Sequence, residues 1–552
     1  MVGTLHERIE RDGGRRTEGV MPGSGLRGGP RRRAERPRAA GPTVAGALVL
    51  LALLGFGPVA PAAPVLADGP WPAQSFPPAP SGSPTGGGQP SPSPSVLPSV
   101  MPSVDPSAPP LPGPASPSPS LAPAPSAPGA APAASPSSGP TPRAFPSPSR
   151  IPPISPLPIT PGSVTFYGRG YGHGLGLSQY GARGRALAGQ SAASIVAHYY
   201  QGTTPALVSA SAPVRILVLA PSNPTAAHPI ILHGRGAPFT LDGIKGTFPI
   251  GARAEIWRSG NGYAIQVNSA TGVLLLKTSS NVADLRFRSG GDPGRLQLDS
   301  KPSSDDTYRA TLRIVATSDG TIVVNELGLD LYLRGVVPAE MPATWPAEAL
   351  KAQAIAARSY AEAHVHVGIG AYDLFDDTRS QVYQGSLGEA TNGTNAVTAT
   401  AGMVLKSGST IITALYHSAD GGATEDNENV YTSASGQIVS SPVSYLRGSS
   451  DRNPNGVSYD SSSPHATWHT ATYTWAQLSA IFATDARTNV GAISSLDLSA
   501  KGVSGRPIRV TLVGSLGTKT VNTEIFRAVF NAGSPAADPY MWSTLIDTVP
   551  IP

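Results

Sequence analysis

The stretch VVPAEMPATWPAEALKAQAIAARSYAEAHV, residues 336–365, decides the fold because it joins a proline-bounded turn to an alanine-rich helix. Pro346 stands where a helix tolerates proline, in its first turn, and Glu348 complements the positive helix start. One stripe then recurs at helical spacing, and its members are Leu350, Ala354, Ala357, Ala361 and His364. Because this stripe is mostly alanine, we predict a helix over 346–367 that packs very closely against its neighbours.

Glu340 precedes this helix in a Pro-Ala-Glu-Met-Pro turn. A glutamate in a stiff turn that leads from a strand into a buried helix is well placed to be partly desolvated. Desolvation raises the pKa of a carboxyl group, which a general acid working near neutral pH requires. On spacing alone, an ordinary exposed turn carboxylate remains the commoner interpretation of such a residue.

The segment GRGYGHGLGLSQYGARGRALAG, residues 168–189, is unusually rich in glycine. Glycines alternate from Gly168 to Gly176, which allows the backbone to approach a ligand closely or to adopt positive φ. His173 is flanked by glycine on both sides, and Ser178 is placed to cap the next helix. No Lys-Ser/Thr pair follows, so this is not a phosphate loop. His173 and Ser178 suggest a hydrolase pair only weakly, since no orienting acid can be assigned.

Two segments downstream of the helix carry polar groups, DDTRSQVYQG (376–385) and YHSADGGATEDNENVY (416–431). Their hydroxyl, imidazole and carboxyl groups surround a Gly421-Gly422 turn and belong to Tyr383, Tyr416, His417, Ser418, Thr424 and Glu425. Aromatic rings with polar tips are typical of a saccharide groove. An ordinary hairpin with polar edges is the alternative, and the spacing does not exclude it.

The apolar patterns over the rest of the chain predict an α+β fold, predominantly antiparallel β with a few packed helices. Strands are predicted from β-branched alternation at 214–220, 263–268, 272–277, 308–317 and 321–337. Further helices are predicted at 178–188, 191–200 and 475–483.

Composition excludes several classes of function. Cysteine is absent, which rules out disulfides, thiolate zinc sites and cysteine nucleophiles. Residues 1–40 hold ten arginines against five acids, while the other 512 residues carry 30 basic and 30 acidic groups. Nucleic-acid binding is therefore disfavoured, because it needs basic residues clustered on a folded domain. The pairs His364-x-His366 and His465-x3-His469 have possible metal-ligand spacings, but we predict no metal and no cofactor.

The N-terminal third of the chain indicates export and a spacer. Within residues 1–67, a basic leader precedes an apolar run from Val44 to Phe56, and small residues follow up to Ala67. This order predicts a signal peptide or an uncleaved anchor, and an extracytoplasmic location in the cell wall or at the outer face of the cytoplasmic membrane. Residues 68–161 hold 32 of the 59 prolines, which predicts a disordered Pro/Ser/Ala-rich linker.

The quoted segments together resemble the SpoIID/LytB family of bacterial cell-wall proteins. The resemblance rests on YLRGVVPAEMPATWPAEALKAQAIAARSYA, QVYQG, YHSADGGATEDNENVY and GRGYGHGLGLSQYGARGRALAG...HYYQGT. In the sporulation members the Gly-His-Gly segment follows the terminal strands, whereas here it comes first, as in a circular permutation. We therefore expect 163–167 to lie beside a strand near 545–549, and His173 to lie close to Glu340.

This resemblance implies one α+β domain over 162–552. Its expected parts are the Gly-His-Gly segment at 162–205, a β-rich insert at 206–320, a catalytic core at 321–447 and a terminal β region at 448–552. It also implies a lytic transglycosylase that cleaves peptidoglycan glycan strands in cell-wall remodelling or a sporulation-like process, with Glu340 as the catalytic acid. Lys351 and Arg358 match polar positions of the family motif. Further groove candidates are His173, Ser178, Gln179, Gln381, Tyr383, Ser418 and Thr424.

The LytB branch of the family implies a different class of function, a non-catalytic protein that stimulates a cell-wall amidase. A glycan-binding wall module is the third alternative. The expected partners are accordingly peptidoglycan glycan strands and, in the LytB alternative, an amidase. Membrane contact is expected only through an N-terminal anchor. The family's zinc, where present, uses cysteines, and these are absent here.

Overall fold

Antiparallel β-sheet dominates the part of the chain that the computed structural model describes, residues 162–209, 212–279, 282–366 and 368–551. Within these ranges seven sheets and eight helices form an α+β fold, which confirms the predicted fold class. The predicted leader, signal segment and Pro/Ser/Ala-rich linker lie outside the described residues. No helix within the same ranges combines the length and the apolar character that a membrane span requires.

The helices of the described ranges follow the expected capping chemistry. They are α1 Gln179–Leu187, α2 Ala192–Tyr199, α3 Leu329–Glu340, α4 Ala347–His364, α5 Thr391–Ala399, α6 Asn427–Val430, α7 Trp475–Phe482 and α8 Thr523–Gly533. Ser178 and Ser191 cap α1 and α2, because their hydroxyls accept hydrogen bonds from backbone N–H groups of the first turn. All four predicted helices are confirmed to within a few residues, whereas α3, α5, α6 and α8 were not predicted.

Two six-stranded sheets build most of the β structure. In spatial order, the first sheet comprises Gly272–Ser279, Gly262–Ser269, Arg253–Ser259, Ile230–Arg235, Arg295–Leu298 and Thr307–Tyr308. The second comprises Leu374–Phe375, Val214–Ser222, Gly320–Leu327, Thr311–Thr317, Asp284–Ser289 and Phe239–Leu241. The strands predicted at 214–220, 263–268 and 272–277 are confirmed. The one predicted over 308–317 is divided in two around Ala310, whose φ is 60°.

The strand predicted over 321–337 is wrong beyond Leu327, where the strand ends and α3 begins. Leucine at every second position from 327 to 333 imitates the period of a strand. The buried side chains nevertheless follow a helical period, at Leu329, Tyr332, Leu333, Val336 and Val337. Glu340 is consequently the last residue of a helix, and its predicted place in a turn between strand and helix is corrected.

Helix α4 lies at the centre of the larger hydrophobic core. It packs against α1, α2, α3 and α5. Its fully buried small residues are Ala349, Ala352, Ala354, Ala356, Ala357 and Ala361. Alanine on several faces lets these neighbouring helices approach α4 closely, so the predicted close packing is confirmed.

A second core occupies the terminal region, and it includes the start of the described chain. The ring of Phe166 lies 5.6 Å from Phe526 and 5.5 Å from Phe530, in edge-to-face contacts. Such aromatic pairs add to the stabilisation that burial alone provides. Residues 168–176, with their alternating glycines, are called the glycine loop. The segment that precedes this loop is therefore packed into the terminal region.

Small sheets join the two ends of the described chain. Tyr167 pairs antiparallel with Asp547 on one side and with His469 on the other. The expected neighbourhood of 163–167 and 545–549 is thus confirmed. The remaining short strands are Ser163–Val164, Leu177–Ser178, Thr204–Leu207, Met403–Ser407, Thr410–Ile411, Tyr416–His417, Tyr473–Thr474, Ile493–Asp497, Arg509–Gly514 and Gly517–Asn522.

Candidate active site

The carboxylate of Glu340 receives hydrogen bonds from three separate segments of the chain. The backbone N–H of Val382 donates to Oε1 at 2.8 Å, and the hydroxyl of Tyr416 donates to the same oxygen at 3.1 Å. Nε2 of Gln179 donates to Oε2 at 3.3 Å. Glu340 remains partly exposed to solvent. The structure therefore holds one carboxylate in a fixed orientation without sealing it in the interior.

A chain of buried side chains sets the direction of the Tyr416 hydroxyl. Tyr332 donates its hydroxyl proton to Oε1 of Gln381 at 3.2 Å, and Nε2 of Gln381 donates to the hydroxyl oxygen of Tyr416 at 3.0 Å. Since that oxygen already accepts a hydrogen bond, the single Tyr416 hydroxyl proton points to Glu340. The chain thus supplies a preorganised donor to the carboxylate.

The electrostatics of Glu340 favour its protonated form more than in an exposed glutamate. Burial raises the pKa of the carboxyl above its ordinary value, and the bonds from Val382, Tyr416 and Gln179 offset part of that rise. Oε1 accepts two of the three donors, so the proton of the neutral acid belongs on Oε2. A raised pKa and a defined proton position are the two properties that a general acid needs.

His173 reaches the same network through the backbone of Tyr416. The N–H of Leu175 donates to Nδ1 of His173 at 3.0 Å, so the proton of the neutral ring lies on Nε2. Nε2 then donates to the carbonyl oxygen of Tyr416 at 3.1 Å. Burial and the charge of Arg506 lower the pKa of His173 to about 4. His173 is accordingly a neutral donor that orients the residue in contact with Glu340.

The glycines of the glycine loop allow its backbone to approach the strand Tyr416–His417 closely. Leu177 and Ser178 pair in parallel with Tyr416 and His417. At Gly176, where φ is +66°, a Cβ atom would lie 2.0 Å from a backbone carbonyl oxygen. Only glycine fits there, and this close approach places Gln179 and Tyr416 on either side of one carboxylate.

Buried polar groups support the loop from behind. Arg506 donates to the carbonyl oxygen of Ala423 at 3.0 Å, and Glu425 accepts the backbone N–H of Ser504 at 3.0 Å. Arg506, Glu425 and His173 also line a cavity of about 30 Å³, roughly the volume of one water molecule. Glu340 is not among its lining residues, so these groups brace the loop rather than form the same site.

The structure does not bring every predicted groove residue to Glu340. Four of them are buried and make other contacts: Ser178, Arg358, Tyr383 and Thr424. Ser178 caps α1, and Thr424 bonds with Ser449. Tyr383 donates its hydroxyl proton to Asn325 at 2.8 Å, and Arg358 donates to Asp330 at 2.9 Å. These four side chains have structural roles in the interior. The sequence did not show this, because residue spacing alone does not reveal which face of a helix or strand is buried.

Besides His173, the groove candidates that join the Glu340 network are Gln179, which bonds with it directly, and Gln381, which acts through Tyr416. Lys351 forms an ion pair with Glu348 at 2.7 Å, one turn along α4. Ser418 is partly exposed, and its carbonyl oxygen accepts the N–H of Tyr180 at 2.9 Å.

The two histidine pairs with metal-ligand spacing make other contacts. Nδ1 of His364 lies 2.7 Å from the carbonyl oxygen of Tyr360, and the His465 ring packs against Trp542 with centroids 4.2 Å apart. Across the described ranges no group of three or more histidine or acidic side chains could hold a metal ion.

Two contributors to the site were not assigned from the sequence. Tyr416 stands in a segment quoted for its polar groups, yet nothing in its spacing singles it out. The N–H of Val382 is a backbone donor, which carries no signal in side-chain chemistry. The parallel pairing of 177–178 with 416–417 brings Gln179 and Tyr416 to the same carboxylate.

Comparison with known proteins identifies relatives of this region. The family model described as SpoIID, stage II sporulation protein, matches residues 317–406, which include α3, Glu340 and α4. The chain is 32% identical over 220 residues to the amidase enhancer of Bacillus subtilis, covering 38% of this chain and 28% of that protein. It is 36% identical over 129 residues to stage II sporulation protein D of Bacillus subtilis, covering 20% of this chain and 37% of that protein.

An uncharacterized protein of Brachyspira hyodysenteriae is 36% identical over 126 residues, which cover 22% of this chain and 34% of that protein. The chain thus spans roughly a third of the length of the curated relatives that it matches. No solved structure matches it. The resemblance to the family seen in the sequence motifs is confirmed by these matches.

Proposed function

We propose, from the premise that the chain belongs to the SpoIID/LytB family, that it is an extracytoplasmic lytic transglycosylase of peptidoglycan glycan strands. The observation that carries the proposal is Glu340, a partly exposed residue whose carboxyl group is held by three donors and has its pKa raised by burial. A single carboxyl of this kind suits a reaction whose nucleophile is supplied by the substrate.

In the first step, Glu340 acts as the general acid. Its proton passes from Oε2 to the glycosidic oxygen between N-acetylmuramic acid and N-acetylglucosamine, and the bond from that oxygen to the anomeric carbon breaks. Positive charge develops on the sugar while Glu340 becomes a carboxylate. The hydrogen bonds from Val382 and Tyr416 to Oε1 stabilise the new negative charge.

In the second step, the same carboxylate acts as the base. It takes the proton of the 6-hydroxyl of the muramic acid ring, whose oxygen bonds to the anomeric carbon and closes a 1,6-anhydro ring. Glu340 regains its proton, no water is consumed, and the products are the anhydro sugar end and a released sugar hydroxyl. Because the nucleophile lies within the substrate, the second carboxylate of ordinary glycosidases is unnecessary.

Digestion of purified glycan strands, followed by mass analysis of the products, tests this function. The wild-type protein should release anhydromuramyl ends, and Glu340→Gln should abolish them in a protein that still unfolds cooperatively. Glu348→Gln is the matched control, because Glu348 bonds with Lys351 and the N–H of Ala192 outside the Glu340 network. Loss of products in both variants, or in neither, would contradict the assignment of Glu340.

A second candidate function rests on the similarity to the amidase enhancer, which extends over more of this chain than the other reported relatives do. In that case the protein would bind the wall without cleaving glycan and would accelerate a cell-wall amidase. An assay with intact cell walls and an added amidase distinguishes the two. Faster amide cleavage with no anhydro ends, and unchanged by Glu340→Gln, would favour the enhancer.

A further inference from the structure

We propose that Trp345 and Tyr180 form an aromatic platform on which a pyranose ring of the glycan strand stacks beside Glu340. The proposal rests on the proposed function for its ligand, a polysaccharide of N-acetylated hexosamines. Neither residue takes part in the hydrogen-bond network of Glu340 described above. The platform would therefore bind and orient the substrate rather than take part in proton transfer.

The position of the two rings follows from how two segments of the chain meet. Gln179 bonds with Glu340, and the residue after Gln179 meets the residue five positions after Glu340. The ring centroids of Tyr180 and Trp345 lie 4.8 Å apart at an interplanar angle of 65°. Residues 179–180 and 340–345 thus make two contacts, one between Gln179 and the Glu340 carboxylate and one between the Tyr180 and Trp345 rings. The rings are part of the wall that surrounds Glu340.

Both rings are partly exposed, unlike most aromatic side chains of the two cores. Within the described residues, the indole N–H of Trp345 and the hydroxyl of Tyr180 have no hydrogen-bond partner in the protein, and neither atom is buried. Tryptophan and tyrosine with a wet polar tip and an apolar ring are enriched where proteins bind ligands. A sugar ring presents a matching surface, with C–H groups on its face and hydroxyls at its edge.

Arg183 holds the platform in place. Its guanidinium carbon lies 5.6 Å from the Trp345 ring centroid, within the range of a cation–π contact. Nη1 of Arg183 also donates to the hydroxyl of Ser462 at 2.6 Å. No acidic side chain of the described ranges forms an ion pair with Arg183, so its other N–H groups remain available to sugar hydroxyls. A ring fixed in this way loses little entropy when a ligand stacks on it.

Ordinary core packing is the competing explanation for Trp345, since part of its ring packs against the larger hydrophobic core. That role accounts for the buried portion of the ring but does not explain why the polar atoms of Trp345 and Tyr180 are left without a protein partner among the described residues, at positions that are not fully buried. The two explanations predict different effects of replacing Trp345. If the ring serves only core packing, the variant should lose stability but not glycan affinity. A platform predicts a loss of glycan affinity in a protein that still folds.

Co-sedimentation with purified insoluble glycan strands tests the platform, and it is performed in the Glu340→Gln background so that no turnover is needed. Adding Trp345→Leu should weaken glycan binding at least about fivefold, as the loss of an aromatic contact predicts. Trp257→Leu is the matched control, because Trp257 is a partly exposed tryptophan on the strand Arg253–Ser259 and should leave binding unchanged.

The outcomes separate this proposal from the function on which it rests. Unchanged binding by folded Trp345→Leu overturns the platform, whether or not the wild-type protein releases anhydro ends. If Trp345→Leu does not fold, Tyr180→Leu decides by the same criterion of fivefold weaker binding. An equal loss of binding in Trp257→Leu also overturns the proposal. If Trp345→Leu weakens glycan binding while the wild-type protein releases no anhydro ends, the platform is supported and the transglycosylase is rejected.

Discussion

Nε2 of Gln179 lies 3.3 Å from Oε2 of Glu340, although 161 residues separate them in the chain. This contact joins the glycine loop, which comes early in the described part of this chain, to the end of helix α3. It exists because Leu177 and Ser178 pair with the strand Tyr416–His417, which itself contacts Glu340. Residues 177–179, Glu340 and Tyr416 therefore meet at one site although they are far apart in the sequence.

Replacing Gln179 by leucine should raise the pKa of Glu340. The substitution removes the donor to Oε2, and a hydrogen bond to the charged form holds a carboxyl pKa down. Because the acid form starts the reaction, the alkaline limb of the pH dependence of kcat/KM should move upward. An alkaline limb that stays where it is in the wild type, measured on purified glycan, would show that Gln179 does not act on Glu340.

Tyr416→Phe should impair both stability and activity. It removes a donor to Oε1 of Glu340 and leaves Nε2 of Gln381 without the hydroxyl oxygen that accepts its hydrogen bond. An unsatisfied buried donor costs about 1–3 kcal/mol, which urea unfolding would detect. Tyr540→Phe in the terminal region is the control and should change neither property. Wild-type activity in Tyr416→Phe would mean that the preorganised hydroxyl is dispensable.

The pH dependence of stability should differ between the wild type and Glu340→Gln. The folded protein binds the Glu340 proton more tightly than the unfolded chain does, because burial raises the pKa of the folded carboxyl. Its contribution to stability is complete below the unfolded pKa and is lost as pH rises through the folded pKa. Glutamine stays neutral throughout, so the variant should gain stability relative to the wild type as pH rises above the unfolded pKa of about 4.3. A constant difference across urea titrations would contradict the raised pKa.

Arg358→Ala should destabilise the fold rather than weaken substrate binding alone. Its side chain is 1% exposed and bonds with Asp330 and with backbone carbonyl groups. Because Asp330 is itself 45% exposed, water can solvate its charge in the variant, and the lost hydrogen bonds of the buried guanidinium should cost about 1.5–3 kcal/mol. Lys351→Ala removes a partly exposed pair with Glu348 and should cost less than about 1 kcal/mol. Comparable unfolding midpoints for the two variants would argue that Arg358 has no structural role.

The sequence predicted the fold class, four helices, and the pairing of the two ends of the described chain, because those features leave local or motif-level signals. It failed at α3, where leucine at every second position imitated a strand while the buried side chains followed a helical period. Prediction of the site was limited in a similar way. Gln381 and Tyr383 are two residues apart, yet one joins the Glu340 network and the other bonds with Asn325 in the interior.

Tyr416 shows why the remainder of the site could not be read from spacing. Its hydroxyl bonds with Glu340, which lies 76 residues earlier in the chain, and that contact depends on tertiary structure. The orientation of the hydroxyl further depends on Gln381 and Tyr332, which come from two other segments.

The central claim is that Glu340 closes a 1,6-anhydro ring without using water. The most direct test is digestion of purified glycan strands in water enriched in heavy oxygen, followed by mass analysis of the new muramyl ends. The account predicts anhydro ends that carry no heavy oxygen and that disappear with Glu340→Gln. Ends that contain one heavy oxygen atom would identify a hydrolase, and unchanged anhydro ends in Glu340→Gln would remove Glu340 from the chemistry.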